Sequence, residues 1–226
     1  MKKVKKRRLI IAIDGPAGSG KSTTAKALAI ALKVPFIDTG AMYRSVTLKA
    51  MQKKVDFNDK RALLKVAKSC RIRLSTDAAK QRVYLDGKDV SKAIRTPELT
   101  KMVFYVAQES PIRHEMVILQ KKIGRRSGGV MEGRDIGTVV FPKADYKFYF
   151  DASPELRAKR RLRDLKAIGQ TGTLKGVLKD ILRRDRHDRS RKTGPLRQAK
   201  DAIYLDTTPL TIPQTVDRIL AIIGRA

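Results

Sequence analysis

Leu9-Ile10-Ile11-Ala12-Ile13-Asp14-Gly15-Pro16-Ala17-Gly18-Ser19-Gly20-Lys21-Ser22-Thr23 is the stretch that decides the fold. Leu9 to Ile13 is an uninterrupted apolar run and predicts a strand buried on both faces. Thr23 to Lys33 carries helical spacing, with Ala25, Leu28, Ala29 and Leu32 on one face. Between them Gly15 to Ser22 fits G-x-x-x-x-G-K-[ST], in the strand–loop–helix context that gives the pattern meaning. Glycines let the backbone N–H groups of such a loop turn inward around phosphate oxygens, and the helix N-terminus adds partial positive charge. Gly15, Pro16, Ala17, Gly18, Ser19, Gly20, Lys21, Ser22 and Thr23 are therefore expected to hold a nucleoside triphosphate. Lys21 would reach its β- and γ-phosphates, and the Ser22 hydroxyl would hold Mg²⁺. A chance glycine turn before a helix is the alternative, and the flanking strand and helix argue against it.

The 226 residues suffice for one α/β domain with small inserts. Lys+Arg number 51 against 22 Asp+Glu, a formal charge of +29 that points to anionic partners. Aromatics are sparse at 5%, with no Trp, so no stacking surface for single-stranded bases is evident. The lone cysteine, Cys70, follows Leu63, Leu64, Val66 and Ala67 in a helical pattern and is expected to be a small core thiol. With two histidines and one cysteine, a zinc cluster is excluded. No run approaches the roughly 18 apolar residues of a membrane span, and the basic start leads into too short an apolar stretch for a secretory signal. A cytoplasmic protein is expected.

Residues 1–8 form a basic tail, a frayed end or a nucleic-acid arm. Val34 to Ile37 predicts a second strand, and a helix begins near Ala41 with Met42, Val46 and Met51 inward. From Arg71 the period changes. Arg71 to Ser75 and Arg82 to Leu85 alternate, and Asp86-Gly87 is a tight-turn signal, so a small antiparallel hairpin is expected to interrupt the chain. Helices follow from Pro97 and over Pro111 to Arg126. Val130 to Glu132, Asp145 to Asp151 and Ala202 to Asp206 complete five core strands. Ser153-Pro154 caps a helix ending near Gly169, a second helix carries Val177, Leu178, Ile181 and Leu182, and Pro213 to Ile223 closes the chain. Strands alternating with helices predict an α/β fold, a five-stranded parallel sheet with helices on both faces.

Arg183 to Lys192 crowds six basic residues onto a helix end, an arrangement that repels itself in isolation. Arg184, Asp188 and Arg191, at i, i+4 and i+7, are expected on one face, where a triphosphate opposite would compensate the repulsion. A solvated basic helix is the alternative. Tyr43-Arg44 and Gly133-Arg134-Asp135 follow strand ends, where ligands of open α/β sheets bind. Glu132 is either the carboxylate that orders the surroundings of Mg²⁺ or a structural residue.

Gly15 to Ser22, Asp38-Thr39-Gly40-Ala41-Met42-Tyr43-Arg44, Ile94-Arg95-Thr96, Glu132 to Pro142, Arg184-Asp185 with Asp188 and Arg191, and Pro195-Leu196 with Asp201-Ala202 together resemble bacterial cytidylate kinases, with the motifs in family order from Ile10 to Ile223. The resemblance implies a P-loop NTPase-like fold. It implies a core of residues 9–62 and 101–226, a nucleotide-binding insert at 63–100 and a mobile helical lid at 153–192. The implied reaction is ATP + CMP (or dCMP) ⇌ ADP + CDP (or dCDP), with ATP and Mg²⁺ as cofactors. By the same resemblance Arg44, Arg134 and Arg191 hold the CMP phosphate, and Arg184 and Asp188 contact the ribose or the transferring group. Thr39 and Tyr43 line the acceptor site, and Arg113 and Asp135 read cytosine. A carboxylate can accept the N4 amino proton and a guanidinium can serve N3 and O2, whereas uracil would set a carbonyl against the carboxylate. One position departs from the pattern. About nine residues before Arg113, where the family has a small hydroxyl residue, stands Phe104. Its ring packs on the base, or Tyr105 or a shifted register supplies the contact.

Two other readings remain at this level: a small-metabolite kinase using the same loop, and a basic RNA-associated protein whose nucleotide site regulates binding. The expected partners are CMP or dCMP and ATP, with no membrane, at most weak RNA association, and a monomeric state.

Overall fold

In the computed structural model, which describes residues 8–167 and 169–224, the strand ahead of the loop is the centre of the molecule. That strand, β1 (Ile10–Asp14), pairs in parallel with β6 (Gly129–Gly133) on one side and β7 (Tyr146–Asp151) on the other. β2 (Phe36–Asp38) and β8 (Ile203–Asp206) complete the sheet in the order β2-β6-β1-β7-β8. The continuous apolar run of β1 has the expected cause: its side chains alternate between two buried faces. Ile11 and Ile13 pack with Ala25, Leu28 and Ala29 of α1 (Lys21–Ala31) and with Val216 and Ile219 of α8 (Ile212–Ile223). Ile10 and Ala12 face Ile37, Met131, Ile136 and Val140. Burying Ile11 or Ile13, both without exposed surface, contributes about 1.5–3 kcal/mol each.

Asp38 caps α2 (Thr39–Gln52) by accepting from the Ala41 N–H at 2.9 Å. The helix therefore begins two residues earlier than its apolar pattern suggests, and β2 starts two residues later and ends one later than expected. With α3 (Lys60–Ser69), α4 (Pro97–Ala107) and α5 (Ser110–Ser127), α2 builds a second core beside an antiparallel sheet of β3 (Ile72–Leu74), β4 (Val83–Leu85) and β5 (Lys88–Asp89). The expected antiparallel hairpin is present, and the sheet holds three strands. Asp86-Gly87 joins β4 to β5, with Leu85 opposite Lys88, while β3 and β4 are joined by the longer segment 75–82. Positive φ at both turn residues (51° and 87°) is what such a two-residue connection demands. Cys70 lies just past α3 in extended backbone. It still packs against this core, and burial pushes its thiol up to about 11.

α6 (Pro154–Ala167) and α7 (Leu174–Ser190) pack on each other through Ala158, Val177 and Ile181, a small core of their own. Ser153 caps α6 as expected, accepting from Leu156 N–H at 3.3 Å. Leu182 stays 45% exposed, outside the apolar face expected of it. Among the described residues no helix is long and apolar enough to cross a membrane.

Candidate active site

Because all five core strands are parallel, their carboxyl ends share one edge, and β1, β2, β6 and β7 deliver Asp14, Asp38, Glu132 and Asp151 there. The Gly15–Ser22 loop occupies the centre of that edge. Gly15 admits no side chain, since a Cβ would lie 2.3 Å from the Phe150 carbonyl oxygen. Gly20 precedes α1 with φ 83°, where β-carbons are disfavoured. Lys21 folds back into the loop and donates to Pro16 O at 3.0 Å, as does the Ser19 hydroxyl. Burial, reinforced by the Arg134 charge and opposed by Glu132, pulls the Lys21 amine down to about 7. The Ser22 hydroxyl donates to Glu132 Oε1 at 2.8 Å, joining two hard-oxygen groups next to the loop. Burial and neighbouring Asp38 raise the Glu132 carboxyl.

Beyond Glu132, Thr39 is buried and donates to the Glu132 backbone oxygen at 2.7 Å. Tyr43 is buried with the Arg113 guanidinium 5.4 Å from its ring centre. Among the described residues Arg44 bonds only to Gly40 O, weakly at 3.4 Å. Arg134 donates from Nε to Asp188 Oδ2 at 2.8 Å, and Arg191 donates to the other oxygen at 3.3 Å. Burial pushes the Asp188 carboxyl up, but Arg134, Arg184 and Arg191 outweigh it and hold the group below its ordinary range. Arg191 is not on the helix face expected of it. It follows α7 in extended backbone (ψ 144°) and returns by donating to Gly194 O at 2.6 Å. Arg184 keeps the helical spacing to Asp188 and lies exposed. Among the described residues, neither Arg44 nor Arg184 has a carboxylate within ion-pair distance.

Arg113 and Asp135 meet at 2.6 Å, both almost fully buried. The backbone of Gly194 (φ 57°) lies directly against the pair, where a Cβ would come within 2.0 Å of Asp135 Oδ2. Phe104 is 38% exposed, and its ring centre stands 4.7 Å from that of His187 on α7; Tyr105 packs edge-on against Phe57. Ser22, Thr39, Tyr43, Arg113, Glu132, Arg134, Asp135, Asp188 and Arg191 are thus linked by contacts at the carboxyl edge of the sheet.

Sequence reasoning missed Asp14, whose two carboxylate oxygens accept from Ile136 N–H (2.8 Å) and Gly137 N–H (2.7 Å). It thereby fixes the turn that follows Arg134-Asp135. Burial pushes Asp14 up to about 7 against those two donors. Lys147 was missed too; it is buried and bonds Asp201 at 2.7 Å as well as Pro142 O. An acidic residue directly before the loop was the one visible signal for Asp14.

A parallel sheet carrying this loop, with cations ranged along its carboxyl edge, defines a P-loop kinase. A shikimate kinase from Bacteroides thetaiotaomicron shares the architecture over 96% of this chain and 98% of its own (TM-score 0.51, 15% identity). At that identity the likeness shows the fold alone. The cytidylate kinase family model matches residues 11–225. Cytidylate kinases of Exiguobacterium sibiricum (48% identical, 94% of this chain and 96% of that one) and a Geobacillus species (46%, 95% and 96%) match nearly end to end. The chain belongs to the cytidylate kinase family.

Proposed function

We propose that the chain transfers the γ-phosphate of ATP to CMP or dCMP, giving ADP and CDP or dCDP. The observation that carries this is the cluster of cations at the carboxyl edge of the sheet: Lys21 in the loop, Arg134 and Arg191 about Asp188, and Arg44 and Arg184, which have no carboxylate in ion-pair distance among the described residues. A transferring phosphoryl group asks for positioning and positive charge more than for covalent chemistry. Lys21, released from Pro16 O, would meet the β- and γ-oxygens. Arg44, Arg134 and Arg191 would take the acceptor phosphate, which displaces Asp188 toward the ribose, and Arg184 would neutralise the group in flight.

Ser22 and Glu132 suit a hard divalent cation, being oxygen donors already in mutual contact at the loop. Mg²⁺ bound there would neutralise triphosphate charge. On the acceptor side Thr39 and Tyr43 would line the pocket, Asp135 would accept the cytosine N4 proton and Arg113 would serve N3 and O2. The separate small core of α6 and α7 favours residues 153–192 as a moving lid, with 63–100 as the acceptor insert on a core of 9–62 and 101–226. A monomer in the cytoplasm, with any RNA association weak and due to surface charge, completes the reading.

Coupled release of ADP with each monophosphate in turn tests it. CMP and dCMP should exceed UMP and AMP by orders of magnitude. Faster turnover of UMP or AMP would refute the specificity, and transfer only to a small metabolite would refute the class of acceptor.

A further inference from the structure

One buried guanidinium lies behind the phosphate loop and is used by none of the roles above. Arg157, in the first turn of α6, is 2% exposed and bonds three separate parts of the chain. Nε donates to Ala152 O at 3.0 Å, at the exit of β7. NH1 donates to Ala17 O, inside the phosphate loop, at 3.0 Å. NH2 donates to Asp185 Oδ2 of α7 at 2.6 Å. A planar fork reaches three acceptors in three directions, which a lysine amine, with its donors on one atom, cannot reproduce. Asp185 is itself 5% exposed, and among the described residues its second oxygen has no hydrogen-bond partner, so Arg157 is the ion-pair partner of a buried charge.

The position of Asp185 gives this contact its consequence. Arg184 precedes it and Asp188 follows it by three, and at 3.6 residues per turn the rotation of α7 that directs Asp185 to the loop also sets Arg184 and Asp188 toward the cleft. Ala17 lies next to Pro16, whose carbonyl holds Lys21. The back of the loop is equally close: a Cβ on Gly18 would lie 3.1 Å from Arg157 Cβ. Filling the loop and turning α7 are thus read by the same side chain.

We propose that Arg157, through Asp185, is a positioning residue that couples occupancy of the phosphate loop to the placement of α7 over the acceptor. It touches neither phosphate nor base. The inference rests on the kinase reading, which wild-type turnover of CMP checks independently. Replacing a buried ion pair with packed apolar groups is often neutral or stabilising, whereas removing one partner is costly, so stability and coupling can be separated.

The experiment compares wild type with Arg157→Lys, Asp185→Asn and the paired Arg157→Met/Asp185→Leu. It measures thermal melting, kcat, both KM values, and the dissociation constant of CMP with and without a non-hydrolysable ATP analogue. In wild type the analogue should tighten CMP at least fivefold. The paired variant should melt near wild type yet lose that tightening and at least tenfold in kcat. Asp185→Asn, which keeps the shape and one acceptor, should recover part of both, and Arg157→Lys should recover less. Wild-type CMP affinity that ignores the analogue would overturn the proposal, as would a folded paired variant with undiminished tightening. Should the paired variant not fold, Asp185→Asn decides: full wild-type tightening and kcat in that protein would also overturn it.

Discussion

Lys21→Met tests the site where charge, burial and function meet. The amine is 5% exposed, donates to Pro16 O, and is held near 7 by desolvation and by Arg134. Loss of one preorganised donor to developing charge costs about 2.7–4 kcal/mol, so kcat should fall about 10²–10³-fold. The fold should survive, because the substitution removes a buried cation. The sign follows from linkage: an amine at 10.5 unfolded and about 7 folded destabilises the native state fully below pH 7, and the penalty is relieved as pH rises toward 10.5. Lys21→Met should therefore melt higher than wild type at pH 6, with the difference shrinking at pH 9. The same shift predicts that ATP binding at pH 7 takes up a fraction of a proton, since the triphosphate charge restores the ammonium. Calorimetry in buffers of different ionisation enthalpy should detect that uptake in wild type and not in the variant. Near-normal turnover, or equal proton uptake in both proteins, would refute the reasoning.

Asp135→Asn should narrow the preference for CMP over UMP, because an amide can offer a donor to the uracil carbonyl; an unchanged ratio in competition assays would remove Asp135 from base reading. Gly194→Ala puts a Cβ 2.0 Å from Asp135 Oδ2 at φ 57°, so CMP should bind at least about tenfold more weakly in titration, with ATP affinity retained. Asp14→Asn leaves one of two backbone N–H groups facing an amide donor. It should cost about 1–3 kcal/mol in denaturant unfolding and raise KM for CMP more than KM for ATP, because the disturbed turn follows Arg134-Asp135.

Much of the donor half was legible in the chain because its parts are contiguous. The apolar run of β1, the glycines of the loop and the face of α1 follow one another, so local periodicity and turn chemistry describe them together. The start of α2 moved because a cap sets it: at Asp38 a side-chain acceptor outranks the apolar pattern. The Asp86-Gly87 signal was sound, but turn chemistry says only that two strands meet there; pairing across the longer 75–82 connection is a tertiary outcome. Motif resemblance brought Arg113 and Asp135 into one site, although periodicity has no access to a contact spanning 22 positions.

By itself, then, the sequence determined a phosphate loop between a buried strand and a helix, an alternating strand–helix chain, and an excess of arginines suited to anions. Only the tertiary structure decided that β1 is central, between β6 and β7, so that Asp14 at its end can grip the turn after Arg134. Only folding bent Arg191 out of α7 and back toward Asp188, and only folding set Arg157 between Ala17 and Asp185. The physical reason is common to all three. Buried charges must find partners wherever the packed chain places them, and that requirement leaves no local period in the sequence.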